Sequence, residues 1–187
     1  MKKLSLIIFA SLFFIFNSIM AQSTSEHMKF MGIELNGTIS SFHSKLLAKG
    51  MTVSPLSDKT KSGVRVYDGV FSGEKAEVIV HYNPRTNEVY AAKALITRYG
   101  KDMIEQLMNS MESKLDIKYG TQNKRSEQFQ DDHLHQFPRH FYTLDNGVIN
   151  LYITSTGYSS QNDFFLNIEY LDLENYQRNV SNEIEDL

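Results

Sequence analysis

Two stretches of the chain repeat their apolar residues at helical spacing, and several others alternate apolar with polar as strands do. Ile39, Phe42, Leu46 and Leu47 fall at i, i+3, i+7 and i+8, which puts them on one side of a helix over 39–49. Thr38 precedes it as a capping residue and Gly50 follows as a stop. A longer stripe of Met103, Ile104, Leu107, Met108, Met111 and Leu115 predicts a helix over 101–119, held between Gly100 and Gly120. Asp102 and Glu105 lie in its first turn, where the helix dipole favours negative charge. The methionines in this stripe read as core packing.

Between the helices, alternation predicts strands over 64–71, 75–82 and 88–97, the last two joined by the loop 83–87. Val64, Val66 and Val70 share one side of the first strand. After the second helix, strands are expected near 128–135 and over 139–144, 148–154 and 164–171. Asp145-Asn146-Gly147 is a hairpin signal between two of them. Pro55 places 51–62 in a loop with room for one short strand. Leu173, Tyr176, Val180 and Ile184 recur at helical spacing, so the acidic tail 172–187 can form a short terminal helix.

The fold class that follows is α+β, with antiparallel sheet and helices on one face. The expected organisation is a leader over 1–21, a polar segment over 22–29, α+β halves over 30–99 and 100–171, and the tail. Each half runs from a helix ending at glycine, through a polar loop, to three or four antiparallel strands. That order fits two tandem repeats, and it also fits one α+β domain without a repeat.

Residues 1–21 carry Lys2 and Lys3, an apolar run from Leu4 to Phe16, and a small residue at Ala21. These are the three regions of a secretory signal peptide, and the run is too short for the roughly 20 residues of a membrane span. Cleavage after Ala21 is expected, which gives a periplasmic or secreted protein. The chain has no cysteine. Lipid attachment through a cysteine, disulfides and thiolate chemistry are therefore excluded. Residues 1–21 hold two lysines and no acid, so the net charge moves from −3 to −5 without them. An acidic chain of this kind has little attraction for nucleic acid, and no later segment has the apolar length of a membrane-spanning helix.

A tandem helix-plus-antiparallel-sheet unit in a small exported protein resembles the β-lactamase-inhibitor-like fold and the BamE-like fold of outer-membrane assembly lipoproteins. The resemblance covers most of residues 30–171 and rests on element order. It implies a protein-binding module whose concave sheet grips a partner. The inhibitors carry disulfides and the assembly factors a lipid-bearing cysteine; this chain has neither, so no functional residue is carried over.

The densest group of candidate site residues is Asp131, His133 and His135, followed by His140. On an extended strand Asp131, His133 and His135 would project to one side, and two imidazoles with a carboxylate can ligate a divalent cation. A metal-binding protein or metal-dependent enzyme is one reading of this group; a pH-responsive patch and a solvated loop or edge strand are the others. The sequence contains no G-x-S-x-G elbow, P-loop lysine motif, G-x-G-x-x-G turn or H-E-x-x-H pair. Export would also separate the protein from nucleotide cofactor pools, and no cofactor is expected. The leading expectation is a non-catalytic module that binds a protein or small ligand. An envelope assembly or stress factor is a further reading. Tyr67, Tyr82, Tyr90, Tyr142, Tyr152 and Tyr170 form the pool of aromatics from which a binding surface would be drawn, because tyrosine is enriched at interfaces.

Overall fold

The computed structural model describes residues 27–184, with side chains described as far as Ser181. The leader over 1–21 lies outside the described residues. The architecture is α+β: three helices, a two-stranded hairpin and an eight-stranded sheet.

The chain begins with strands β1 (Lys29–Phe30) and β2 (Ile33–Glu34). Helix α1 (Ile39–Ala48) follows, its first turn closed by Thr38, whose hydroxyl accepts from the Ser41 amide. The first half continues as β3 (Thr52–Val53), β4 (Val64–Phe71), β5 (Glu74–Tyr82) and β6 (Val89–Tyr99). Helix α2 (Lys101–Tyr119) opens the second half, and Gly120, at a φ of 81°, turns the chain away from it. Then come β7 (Lys124–Gln130), β8 (Gln136–Leu144), β9 (Gly147–Ser155) and β10 (Asp163–Asp172), and helix α3 (Leu173–Ile184) ends the described chain.

The large sheet runs β3-β4-β5-β6-β10-β9-β8-β7, antiparallel throughout. Each half is a helix followed by a four-strand meander, and the two meanders meet through their last strands. The seam is the β6–β10 pairing, which runs from Asp163 opposite Tyr99 to Leu171 opposite Ala91. It joins the halves into one continuous sheet.

Alternation gives that sheet a dry face. Val78 and Val80 of β5, Ala92, Ala94 and Ile96 of β6, and Leu166 and Ile168 of β10 are all buried there. Small alanines in β6 let α2 approach, and α2 packs against β6, β9 and β10. Its buried stripe is Ile104, Leu107, Met108, Met111 and Leu115; Met103 stands off it, 58% exposed. Phe42 and Leu46 of α1 join the same core, as do Phe30, Ile33 and Leu35 near the hairpin. Each such side chain contributes about 1.5–3 kcal/mol by leaving water.

On β4 the core residues are Tyr67 and Phe71, so the Val64, Val66, Val70 set faces the other way. Residues 131–135 are not a strand. β7 stops at Gln130, and the next five residues make a tight turn in which Leu134 has a φ of 66°. The Asp131 carboxylate stabilises that turn by accepting the amides of His133 and His135.

Candidate binding face

The second face of the large sheet carries neither α1 nor α2. One rung of residues crosses seven strands on it: Val66, Ile79, Lys93, Glu169, Asn150, Phe141 and Arg125. The next rung is Asp68, Glu77, Leu95, Asn167 and Tyr152. These side chains cover one another only in part. Asn167 and Ala91 are 3% exposed, whereas Val70 is 58% exposed. The face is thus neither a dry core nor a fully polar surface. Apolar and aromatic groups lie on it between charges.

The two ends of the face differ in charge. In β4 and β5, Asp68 stands directly opposite Glu77, a like-charge pairing that costs stability. At the other end, Arg139 of β8 is enclosed by three rings. Its guanidinium carbon lies 4.6 Å from the centre of Phe141, 5.0 Å from Tyr152 and 5.6 Å from Phe129. Phe129 and Tyr152 meet edge to face, closing the enclosure. Cation–π attraction fixes the arginine there, at about 0.5–2 kcal/mol per ring according to desolvation.

Among the described residues this guanidinium has no counter-ion. Glu127 is its cross-strand neighbour, but the Glu127 carboxylate pairs with Arg125 instead. Among the described residues Arg139 forms no salt bridge, and its Nε is buried without a hydrogen-bond partner. Asn150 Oδ1 is likewise buried and unpaired, while the amide nitrogen donates to Glu169. A half-buried cation with spare donors, ringed by aromatics, is suited to receive a carboxylate.

The six tyrosines of the sequence reading divide between the faces. Tyr152 lies on the open face, and burial followed by the Glu169 charge pushes its hydroxyl pKa up. Tyr90 sits where the β5–β6 register shifts, near His81 and Tyr176. Tyr82 is half-buried against the core. Tyr67, Tyr142 and Tyr170 are core residues, closed to any ligand on the open face. The Tyr67 hydroxyl is 3.2 Å from His43 Nδ1, and Tyr142 donates to Asp116 and to the Glu112 carbonyl. Burial raises the pKa of Tyr142, and its bond to Asp116 adds to this. Arg139, Phe129 and Asn150 are not singled out by the sequence. The one local signal for Arg139 is the run of aromatic and cationic residues over 137–142.

Asp131, His133, His135 and His140 do not assemble into a metal site. Among the described residues no three His, Asp or Glu side chains could hold a cation together. Asp131 is occupied with the two turn amides and the Ser155 hydroxyl. Burial acts to raise its pKa, but these donors prevail and hold the carboxyl below its ordinary range. His135 Nε2 lies 2.9 Å from the Gly157 carbonyl, and the His133 ring meets Tyr158 edge-on.

His140 is elsewhere, buried between β7 and α2. Its Nδ1 is 2.7 Å from Ser126 Oγ and its Nε2 3.5 Å from Glu112. The order hydroxyl, imidazole, carboxylate has the outline of a nucleophile relay. The Glu112 carboxylate, however, is shared with Lys124, which sits 2.8 Å from both Glu112 and Asp116. This network works as a polar strut fastening α2 to the β7–β8 edge.

No protein-family model matches the chain, and no curated protein or solved structure is significantly similar to it. The class defined by fold and face is an α+β protein whose antiparallel sheet packs α1 and α2 against one face.

His81, on the open face, gives a pH signature. Burial, then the nearby Lys93 ammonium, hold its pKa below the ordinary 6.5, against the opposing pull of Glu169. The unfolded chain then binds a proton more readily than the folded one. Stability should be full above about pH 6.5 and decline as pH falls below it. Burial depresses His140 in the same direction, with Lys124 assisting and Glu112 and Asp116 opposing. In urea titrations over pH, His81→Gln is expected to flatten part of this decline. An unchanged slope would remove His81 from the account.

Proposed function

We propose that the protein is an exported, non-catalytic binding module that grips a protein partner with the open sheet face. Arg139 receives an acidic side chain of that partner. The observation that carries this reading is the uncompensated Arg139 guanidinium held between Phe129, Phe141 and Tyr152. Arginine and tyrosine dominate binding energy at interfaces when flanked by groups that exclude water, and here the rings of Phe129 and Phe141 flank Arg139. Export is supported by the basic, apolar and small-residue pattern of residues 1–21. Gripping by a sheet face is also what the resemblance to the inhibitor-like and BamE-like folds implies. Two tandem halves, each a helix and a meander, are consistent with a duplicated origin.

A photo-reactive phenylalanine analogue at position 141 tests the reading in cells. The expected result is one discrete adduct with an envelope protein. It should be lost when Arg139→Ala is added and kept when Met103→Ala, on the α2 surface, is added instead. A face that yields no adduct, or an adduct indifferent to Arg139, overturns the proposal.

A further inference from the structure

A second site lies on the other side of the sheet, where α2, the β1–β2 hairpin and the β4–β5 turn come together. They line an open cleft of about 330 Å³. Its walls are Met31, Phe71, Met111, Leu115, Ile168 and Tyr170, and its rim is Ser72, Lys114 and Lys118. The walls are apolar apart from the Tyr170 hydroxyl. Methionine walls adapt to the shape of an apolar guest.

The rim is cationic and uncompensated. Lys114 and Lys118 are one helical turn apart, where like charges repel. Lys114 donates to the Ser72 carbonyl and hydroxyl, and Lys118 lies 4.8 Å above the Tyr119 ring. Neither ammonium meets a carboxylate among the described residues, because Glu112 and Asp116 of the same helix are taken by Lys124. Met31 and Ser72, at the two loops of the mouth, both hold a φ of 52°, a left-handed conformation rare for such residues.

We propose that this cleft binds a single-chain carboxylate amphiphile, a free medium-chain fatty acid, with its chain among the methionines and its head at Lys114 and Lys118. The volume is at the small end for ligand pockets, which suits one chain and not a two-chain lipid. The charge selects an anionic head. This site is independent of the open face.

The test uses the full chain without its leader, carrying ¹³C-methyl methionine, titrated with decanoate below its micelle concentration. The Met31 and Met111 methyl signals should shift saturably, while that of exposed Met103 stays in place. Replacing Lys114 and Lys118 together by glutamine should weaken decanoate about fivefold, on the scale of two surface charge pairs, and leave decanol binding unchanged. These surface changes spare the core, so a folded variant is expected. The proposal fails if decanoate gives no saturable shift, if decyltrimethylammonium binds as tightly, or if Met103 shifts with the others.

Discussion

Replacing Phe30 by alanine is expected to lower the unfolding free energy by about 3–5 kcal/mol, the range for deleting a buried aromatic ring. Phe30 is fully enclosed, 0% exposed. Its ring stacks on Phe71 at 5.3 Å and 18°, and meets Tyr170 edge-on at 5.4 Å and 81°. Such ring pairs add about 0.5–1.5 kcal/mol each beyond area burial. The hairpin that presents Phe30 has two-residue strands, Lys29 opposite Glu34 and Phe30 opposite Ile33. It turns through Met31 and Gly32, both at positive φ. A ladder that short cannot hold itself, so the ring anchors the hairpin to the sheet. Equilibrium urea unfolding measures the effect, and a loss under 1 kcal/mol would contradict this account. Because Met31 is a wall of the cleft, the same variant should also weaken decanoate binding.

The elements that could be read from the chain were those whose signals are local. The long helix matches its expected range at both ends, because glycines flank it and its stripe is unbroken. The α+β class and the hairpin at Gly147 follow from equally local patterns. β7 was misplaced for a physical reason: it is an edge strand whose residues are polar except for Phe129, so no alternation marks it. The turn at Asp131 was hidden because it depends on one carboxylate accepting two amides, and such a residue pattern also fits a strand. Which face of β4 is core depended on what lay across it, and no local pattern carries that.

The candidate site was less legible still. Arg139 meets its rings only because β7, β8 and β9 pair in one register. Tyr152 belonged to a pool of six tyrosines whose periodicity could not separate core from surface. Three of them are core, where the Tyr67 hydroxyl meets His43 and that of Tyr142 meets Asp116. A buried tyrosine with a satisfied hydroxyl and an exposed one at an interface look alike in sequence.

Asp172→Ala is the polar counterpart of the Phe30 change, with an expected cost of about 3–4 kcal/mol. The side chain is 1% exposed and joins three parts of the chain through two oxygens. Oδ1 accepts the Asn175 amide at 3.0 Å, which makes Asp172 the cap of α3. Oδ2 accepts the Met28 amide at 2.9 Å and lies 3.0 Å from His27 Nδ1. Loss of the cap at the Asn175 amide costs about 0.5–2 kcal/mol, and the buried Met28 amide left without an acceptor costs about 1–3 more. The effect should spread beyond the helix end. Asn175 sits on the first turn of α3 and donates to the carbonyls of Leu35 and Val89, so a frayed first turn releases the N-terminal segment and the start of β6 together. Asp172→Asn separates the contributions. Its one remaining carbonyl oxygen can serve the cap or the Met28 amide but not both, so about half the loss is expected. Urea unfolding gives the totals, and hydrogen exchange at the Asn175 and Met28 amides shows which bond the asparagine keeps. Protection retained at both amides in the alanine variant would show that the carboxylate does not join these segments.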